Sequence, residues 1–267
     1  MNIIKHELRT GIKPFLLWTL GLFFLDFAGL VKFTGIAGAG NADIMELMDR
    51  FPRIVLAVFG MVGLDISSLG GYYAILAFYA LVCVSIYSIY LGTGAVNRES
   101  VDKTYEFLFT KPRTRKFILG MKLIANVLYL AAYCIVHIFF SITGVLSLKI
   151  DGNINSQMIL FGITAFFVGI LFFSLGAFLS AALKRSEKGV RYSNLCFLGA
   201  FLSGILYDML DDGKVLQILS PLKYFLPADL LKNQLNPFYT VLCIILSGIL
   251  LCGAFKMFDR REFSAAG

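Results

Sequence analysis

Few residues in this chain are of a type and spacing that could do chemistry. The two histidines, His6 and His137, are too few and too far apart in sequence to read as a metal site. The five cysteines, Cys83, Cys134, Cys196, Cys243 and Cys252, all fall in apolar runs, with no CxxC pair and no histidine at ligand spacing, which reads as packing thiols. HExxH is absent, and Ser203-Gly204 lacks the preceding glycine of an intramembrane serine protease nucleophile. No GxxxxGK[ST] occurs, so the chain offers no backbone cradle for nucleotide phosphates. Two ionisable residues, Asp26 and His137, interrupt long apolar stretches. In a membrane helix such groups face the bundle interior or water, which makes both candidates for a translocation path. The reading preferred for His137 is an interhelical hydrogen bond, and for Asp26 a place near the outer interface close to Lys32.

The apolar stretches that must position these residues dominate the composition. Of 267 residues, 58% are hydrophobic and only 15% charged, and the mean hydropathy is +0.79. Soluble domains carry about 25% charged residues. So little polar surface cannot cover a chain of this size in water, so lipid is its main solvent. Disordered, disulfide-stapled, nucleic-acid-binding and ordinary cytosolic enzyme classes are excluded.

A bilayer core about 30 Å thick needs roughly 20 helical residues per crossing. Six spans are expected, at about 14–33, 72–96, 122–148, 157–183, 190–210 and 238–256, making residues 1–267 a single transmembrane domain. With the N-terminus inside, the inner segments collect three, seven, four and three basic residues, so 17 of the 24 lie on one side. The surplus of +7 is therefore mainly a topology signal, and both termini are expected in the cytoplasm. A signal-peptide reading, suggested by Ala37-Gly38-Ala39, is opposed by the length of the first apolar segment and by Asp26 and Lys32 within and after it.

Between the spans, Ile4, Leu8, Ile12 and Phe15 fall at helical spacing among Lys5, Glu7, Arg9 and Lys13. This predicts an N-terminal interfacial helix, with Pro14 starting a new direction. The first outer loop predicts an amphipathic helix broken at Pro52, and the last outer loop, with Pro221 and Pro227, short half-helices or a re-entrant turn. In span five, Gly199, Ala200, Ser203 and Gly204 allow a close helix approach, read as internal packing more than as a dimer seam.

The inner loop 97–122 carries the most information. Ser100 reads as an N-cap with Asp102 in the first turn, Val101, Tyr105, Leu108 and Phe109 gather on one side, and Pro112 ends the helix. A helix showing Tyr105, Leu108 and Phe109 on the cytoplasmic side either lies on lipid headgroups or inserts into a groove on another protein.

The run Arg98-Glu99, Thr104, Glu106, Leu108, Pro112, Arg115 and Lys122 resembles the motif after the second span of ABC-2 type permeases, the membrane subunits of bacterial ABC exporters. The six spans, the N-terminal interfacial helix, the segment from Ser220-Pro221 to Pro227 and the tail Phe258-Asp259-Arg260-Arg261-Glu262 are similar to that family, over nearly the whole length. The chain departs from it near Lys103, where the family often has a small residue such as Gly and this chain is bulkier.

The resemblance implies an all-α polytopic membrane protein with cytoplasmic coupling helices, in a bacterial plasma membrane. Two permease subunits, identical or different, would face each other on two cytoplasmic ABC ATPase subunits, which would bind ATP and Mg; this chain itself would hold no cofactor, and it would contact membrane lipid but no nucleic acid. Residues 99–109 would form the main coupling helix, with Tyr105, Leu108 and Phe109 in the ATPase groove and Glu99 or Glu106 pairing with basic groups. The loop with Lys184, Arg185 and Glu187 would make the second contact. The alternative reading is a membrane scaffold or interaction protein without transport.

Overall fold

The computed structural model describes residues 3–38, 50–101, 114–183, 185, 188–210 and 213–260. Every element among them is helical: α1 (Ile3–Gly38), α2 (Arg53–Val58), α3 (Leu69–Val101), α4 (Arg115–Ser147), α5 (Asn155–Ala182), α6 (Lys188–Met209), α7 (Lys214–Leu219), a 3-10 turn (Pro221–Lys223), α8 (Pro227–Leu231) and α9 (Pro237–Asp259). Six of them, α1, α3, α4, α5, α6 and α9, are long and apolar enough to cross a membrane. This is the helical architecture that a lipid solvent requires, because a helix satisfies its own backbone polar groups.

α5 lies at the centre, packed against α3, α9, α4 and α6, while α1 packs on α4 and α3. Lipid is as apolar as leucine, so helices associate through close packing and interhelical hydrogen bonds rather than through expulsion of water. The α3–α5 contact shows the packing part. A Cβ built on Gly92 would sit 2.1 Å from the Phe173 carbonyl oxygen; only glycine lets the two backbones approach this closely. Two apolar clusters result. One, around Tyr87, Leu123, Tyr133 and Phe173, fills the half of the bundle that carries both ends of the described chain. The other, around Leu30, Tyr73, Phe161 and Tyr224, fills the opposite half.

Two local expectations are corrected. Pro14 does not separate an N-terminal helix from the first span, because α1 is one helix through it. An interior proline costs about 3 kcal/mol or more through a lost hydrogen bond and a clash, but α1 is held on α4 to either side. The Tyr129 hydroxyl donates to the Leu8 carbonyl, Gly11 sits against the Tyr129 ring, and Phe15 packs on it with ring centroids 5.2 Å apart. The second correction is at Ser100, which is not an N-cap: α3 continues unbroken to Val101, with no proline or glycine after Gly94 to stop it. With 33 to 36 residues each, α1, α3 and α4 are about 50 Å long at 1.5 Å per residue. They outreach a ~30 Å hydrocarbon core by some 20 Å.

At the opposite end, the segment expected as the last outer loop forms the short helical pieces α7, the 3-10 turn and α8, and Pro52 likewise precedes the short α2. Several of their polar groups are paired, although the buried Ser220 hydroxyl has no hydrogen-bond partner among the described residues. Lys223 pairs with Asp208 of α6, the Gln217 amide donates to the Lys223 carbonyl at 2.9 Å, and the Tyr239 hydroxyl of α9 donates to Gln217 at 2.7 Å. The small residues of α6 divide. Ala200 and Gly204 are buried, Gly204 against Ser220, whereas Gly199 has no neighbour where a Cβ would be.

Candidate functional site

One face of α4 carries Lys122, Asn126, Tyr129, Tyr133, His137 and Ser141, spaced three or four residues apart and all buried. This spacing puts them in a single row, about 28 Å long at 1.5 Å per residue, so a polar row runs nearly the depth of a bilayer core. α1 covers it and answers most of its groups. Tyr129 donates to the Leu8 carbonyl, Tyr133 to the Trp18 carbonyl at 3.4 Å, and the Asn126 amide donates back to the Lys122 carbonyl of its own helix at 2.9 Å. Ser141 and Tyr73 of α3 are 3.1 Å apart, the phenol donating.

At the end bearing the chain termini, Glu7 of α1 sits between two cations. Its Oε2 accepts from Arg98 of α3 at 2.7 Å, and its Oε1 is 3.8 Å from Nζ of Lys122. Glu7 and Lys122 are 4% and 3% exposed. A buried charge is tolerated only when paired and hydrogen-bonded, so this contact fixes three helix ends together. Asn97, next to Arg98, donates to Ser180 of α5 at 3.3 Å. Ser180 in turn lies against Gly189 of α6, where a Cβ would come 2.1 Å from its Oγ. Lys116 at the start of α4 meets Asp259 at the end of α9 at 3.2 Å. The residues at this end thus link α1, α3, α4, α5, α6 and α9.

Farther along the row, Nδ1 of His137 and Oδ2 of Asp26 are 2.9 Å apart. Each residue is 1% exposed. They sit where the two apolar clusters meet, Leu22 belonging to one and Leu30 to the other. Oδ1 of Asp26 accepts no hydrogen bond among the described residues. Asp26, expected near Lys32 and the outer interface, is therefore committed to His137.

The loop at 102–113 joins α3 to α4, and its two stems carry Arg98 and Lys122, both on Glu7. The structure brings these two members of the sequence motif together, 24 positions apart in the chain. Glu99 and Val101 close α3, and Arg115 opens α4. Thr104, Tyr105, Glu106, Leu108, Phe109 and Pro112 lie outside the described residues, as do Lys184 and Glu187; Arg185, between the last two, is exposed. Sequence reasoning missed Glu7, although it is the one acid among the basic residues that open the chain, and it missed the α4 row, although the row's spacing was on view.

A six-helix membrane bundle with an N-terminal helix pinned to both stems of a basic, motif-bearing loop calls for comparison with transporter subunits. A family model described as ABC-2 family transporter protein matches residues 1–258. The chain belongs to the ABC-2 transporter family. No curated protein matches it. Family membership makes it a multi-pass membrane component of transport, and the match takes in both α1 and the polar row.

Proposed function

We propose that this chain is the permease subunit of an ATP-driven exporter in a bacterial plasma membrane. With a second permease subunit, identical or different, it forms the translocation path. ATP and Mg bind to a separate cytoplasmic ABC ATPase, because this sequence has no phosphate-binding loop. Both termini and the loops 102–113 and 184–187 face the cytoplasm under the positive-inside rule.

The observation that carries the reading is the way the stems of these two loops are joined. Glu7 holds Arg98 and Lys122 on either side of the first loop, and Asn97 reaches Ser180 beside Gly189 at the stems of the second. A push on Tyr105, Leu108 and Phe109 from an ATPase groove would therefore move α1, α3 and α4 as one body, and Asn97 would pass it to α5 and α6. Stiff, packed helices are what rigid-body switching between inward and outward openings needs. Asp26 and His137 serve this reading as the tie that keeps α1 on α4 along the depth of the membrane.

The test is the double variant Tyr105→Ala with Leu108→Ala, expressed with the ATPase. It inserts normally but no longer co-purifies with the ATPase, and its transport is lost. Unchanged co-purification removes the coupling assignment.

A further inference from the structure

A cavity of about 550 Å³ lies between α1, α2 and α3, well inside the ~300–1,000 Å³ range of small-molecule sites. Its wall is apolar and aromatic, with Phe24, Ala28 and Gly29 from α1, Phe59 after α2 and Leu76 from α3. One cation, Lys32, stands in it, and Lys32 makes no ion pair with any of the described residues. Phe24 and Phe59 are strongly exposed, so the cavity is open at its side rather than sealed in the bundle.

Its depth can be placed along α1. Lys32 is six residues from the end of the helix at Gly38, hence about 9 Å below it at 1.5 Å per residue. A lysine there reaches headgroup level with its ammonium while its stem lies along apolar surface. Phe24 is eight residues deeper in the same helix, about 12 Å farther into hydrocarbon. The cavity is thus apolar below, cationic above and open to the side from which a lipid would enter.

We infer that this cavity is a binding site for an anionic membrane phospholipid, one acyl chain lying between α1 and α3 and its phosphate on Lys32. Charge complementarity selects the occupant. A neutral apolar segment would leave the ammonium without a counter-charge, and a zwitterionic lipid would bring its own cation to the same place. The inference stands apart from the ATPase reading, since no nucleotide or partner enters it.

The experiment uses the full chain, purified without ATPase and placed in nanodiscs of phosphatidylcholine with one fifth phosphatidylglycerol. Lipid retained after mild delipidation is counted by native mass spectrometry. The wild type should retain one phosphatidylglycerol per chain in preference to phosphatidylcholine. Lys32→Gln should lower that preference about fivefold, the effect of one basic residue at a membrane surface, and Lys32→Arg should keep it. Ala28→Trp, which fills the cavity from α1, should abolish retention of both lipids, with a monodisperse elution profile showing that the variant is folded. Equal retention of the two lipids by the wild type, an unchanged preference in Lys32→Gln, or lipid still bound in folded Ala28→Trp would each overturn the assignment.

Discussion

Replacing His137 by leucine tests whether the buried pair with Asp26 is an ion pair or a neutral hydrogen bond. Both side chains are almost fully enclosed, 1% and 2% exposed, and 2.9 Å apart. Removing one partner of a buried ion pair costs about 3–5 kcal/mol, because the other charge is left without compensation. A neutral interhelical hydrogen bond in a membrane bundle averages only about 0.6 kcal/mol. We expect His137→Leu to lower stability by about 3 kcal/mol or more. The double variant Asp26→Leu with His137→Leu should recover most of the loss, since two apolar side chains of similar volume replace a costly pair and also remove the Oδ1 that accepts no hydrogen bond among the described residues. A coupling energy of about 2 kcal/mol or more is the expected result of the cycle. The readout is built in. Trp18 is the sole tryptophan and lies on α1 with its ring 5.4 Å from Tyr87 of α3, so its emission reports α1 leaving the bundle as the protein is unfolded in mixed micelles of increasing SDS content. A loss below about 1 kcal/mol in the single variant, or additive effects in the cycle, would refute the ion-pair reasoning.

Three other outcomes follow from the packing. Glu7→Gln keeps the shape of the side chain but withdraws the charge between Arg98 and Lys122; it should cost about 3 kcal/mol and reduce transport-linked ATP hydrolysis while the ATPase still co-purifies, as measured on the assembled complex. Gly92→Val places a Cβ where the Phe173 carbonyl already stands, and it should lower the thermal midpoint more than Gly199→Val, whose position is open, does; the overpacking cost is about 1–3 kcal/mol. Cys196 and Cys252 are exposed on the bundle, Cys83 is half-buried and Cys134 and Cys243 are buried, so a membrane-permeant maleimide should label the first two fastest in the folded protein and all five after denaturation, counted by intact mass.

The six helices were legible because a membrane imposes a single demand, a long uncharged helical run, and the sequence meets it six times. The family was legible for a related reason: the residues from Arg98 to Lys122 form one continuous stretch, so their pattern survives reading along the chain. The sequence offered an interhelical hydrogen bond for His137 and close packing for Ala200 and Gly204, but it could not name the partner where two helices meet. Pro14 looked like a boundary, since its cost is local, whereas the contacts of Leu8, Gly11 and Phe15 with Tyr129 that offset it come from a helix more than a hundred residues away. Asp26 was drawn toward Lys32, its neighbour in sequence, whereas its partner is His137.

The amino-acid sequence alone therefore decided the solvent, the number of crossings and the position of the basic loop, because hydropathy and charge are properties of single segments in contact with lipid or water. Tertiary structure alone decided that Glu7 joins the stems of that loop, that a polar row on α4 is closed by α1, and that Lys32 stands over an open apolar cavity. A side chain's partner depends on which helix faces it, and that choice is made by the packing of the whole bundle.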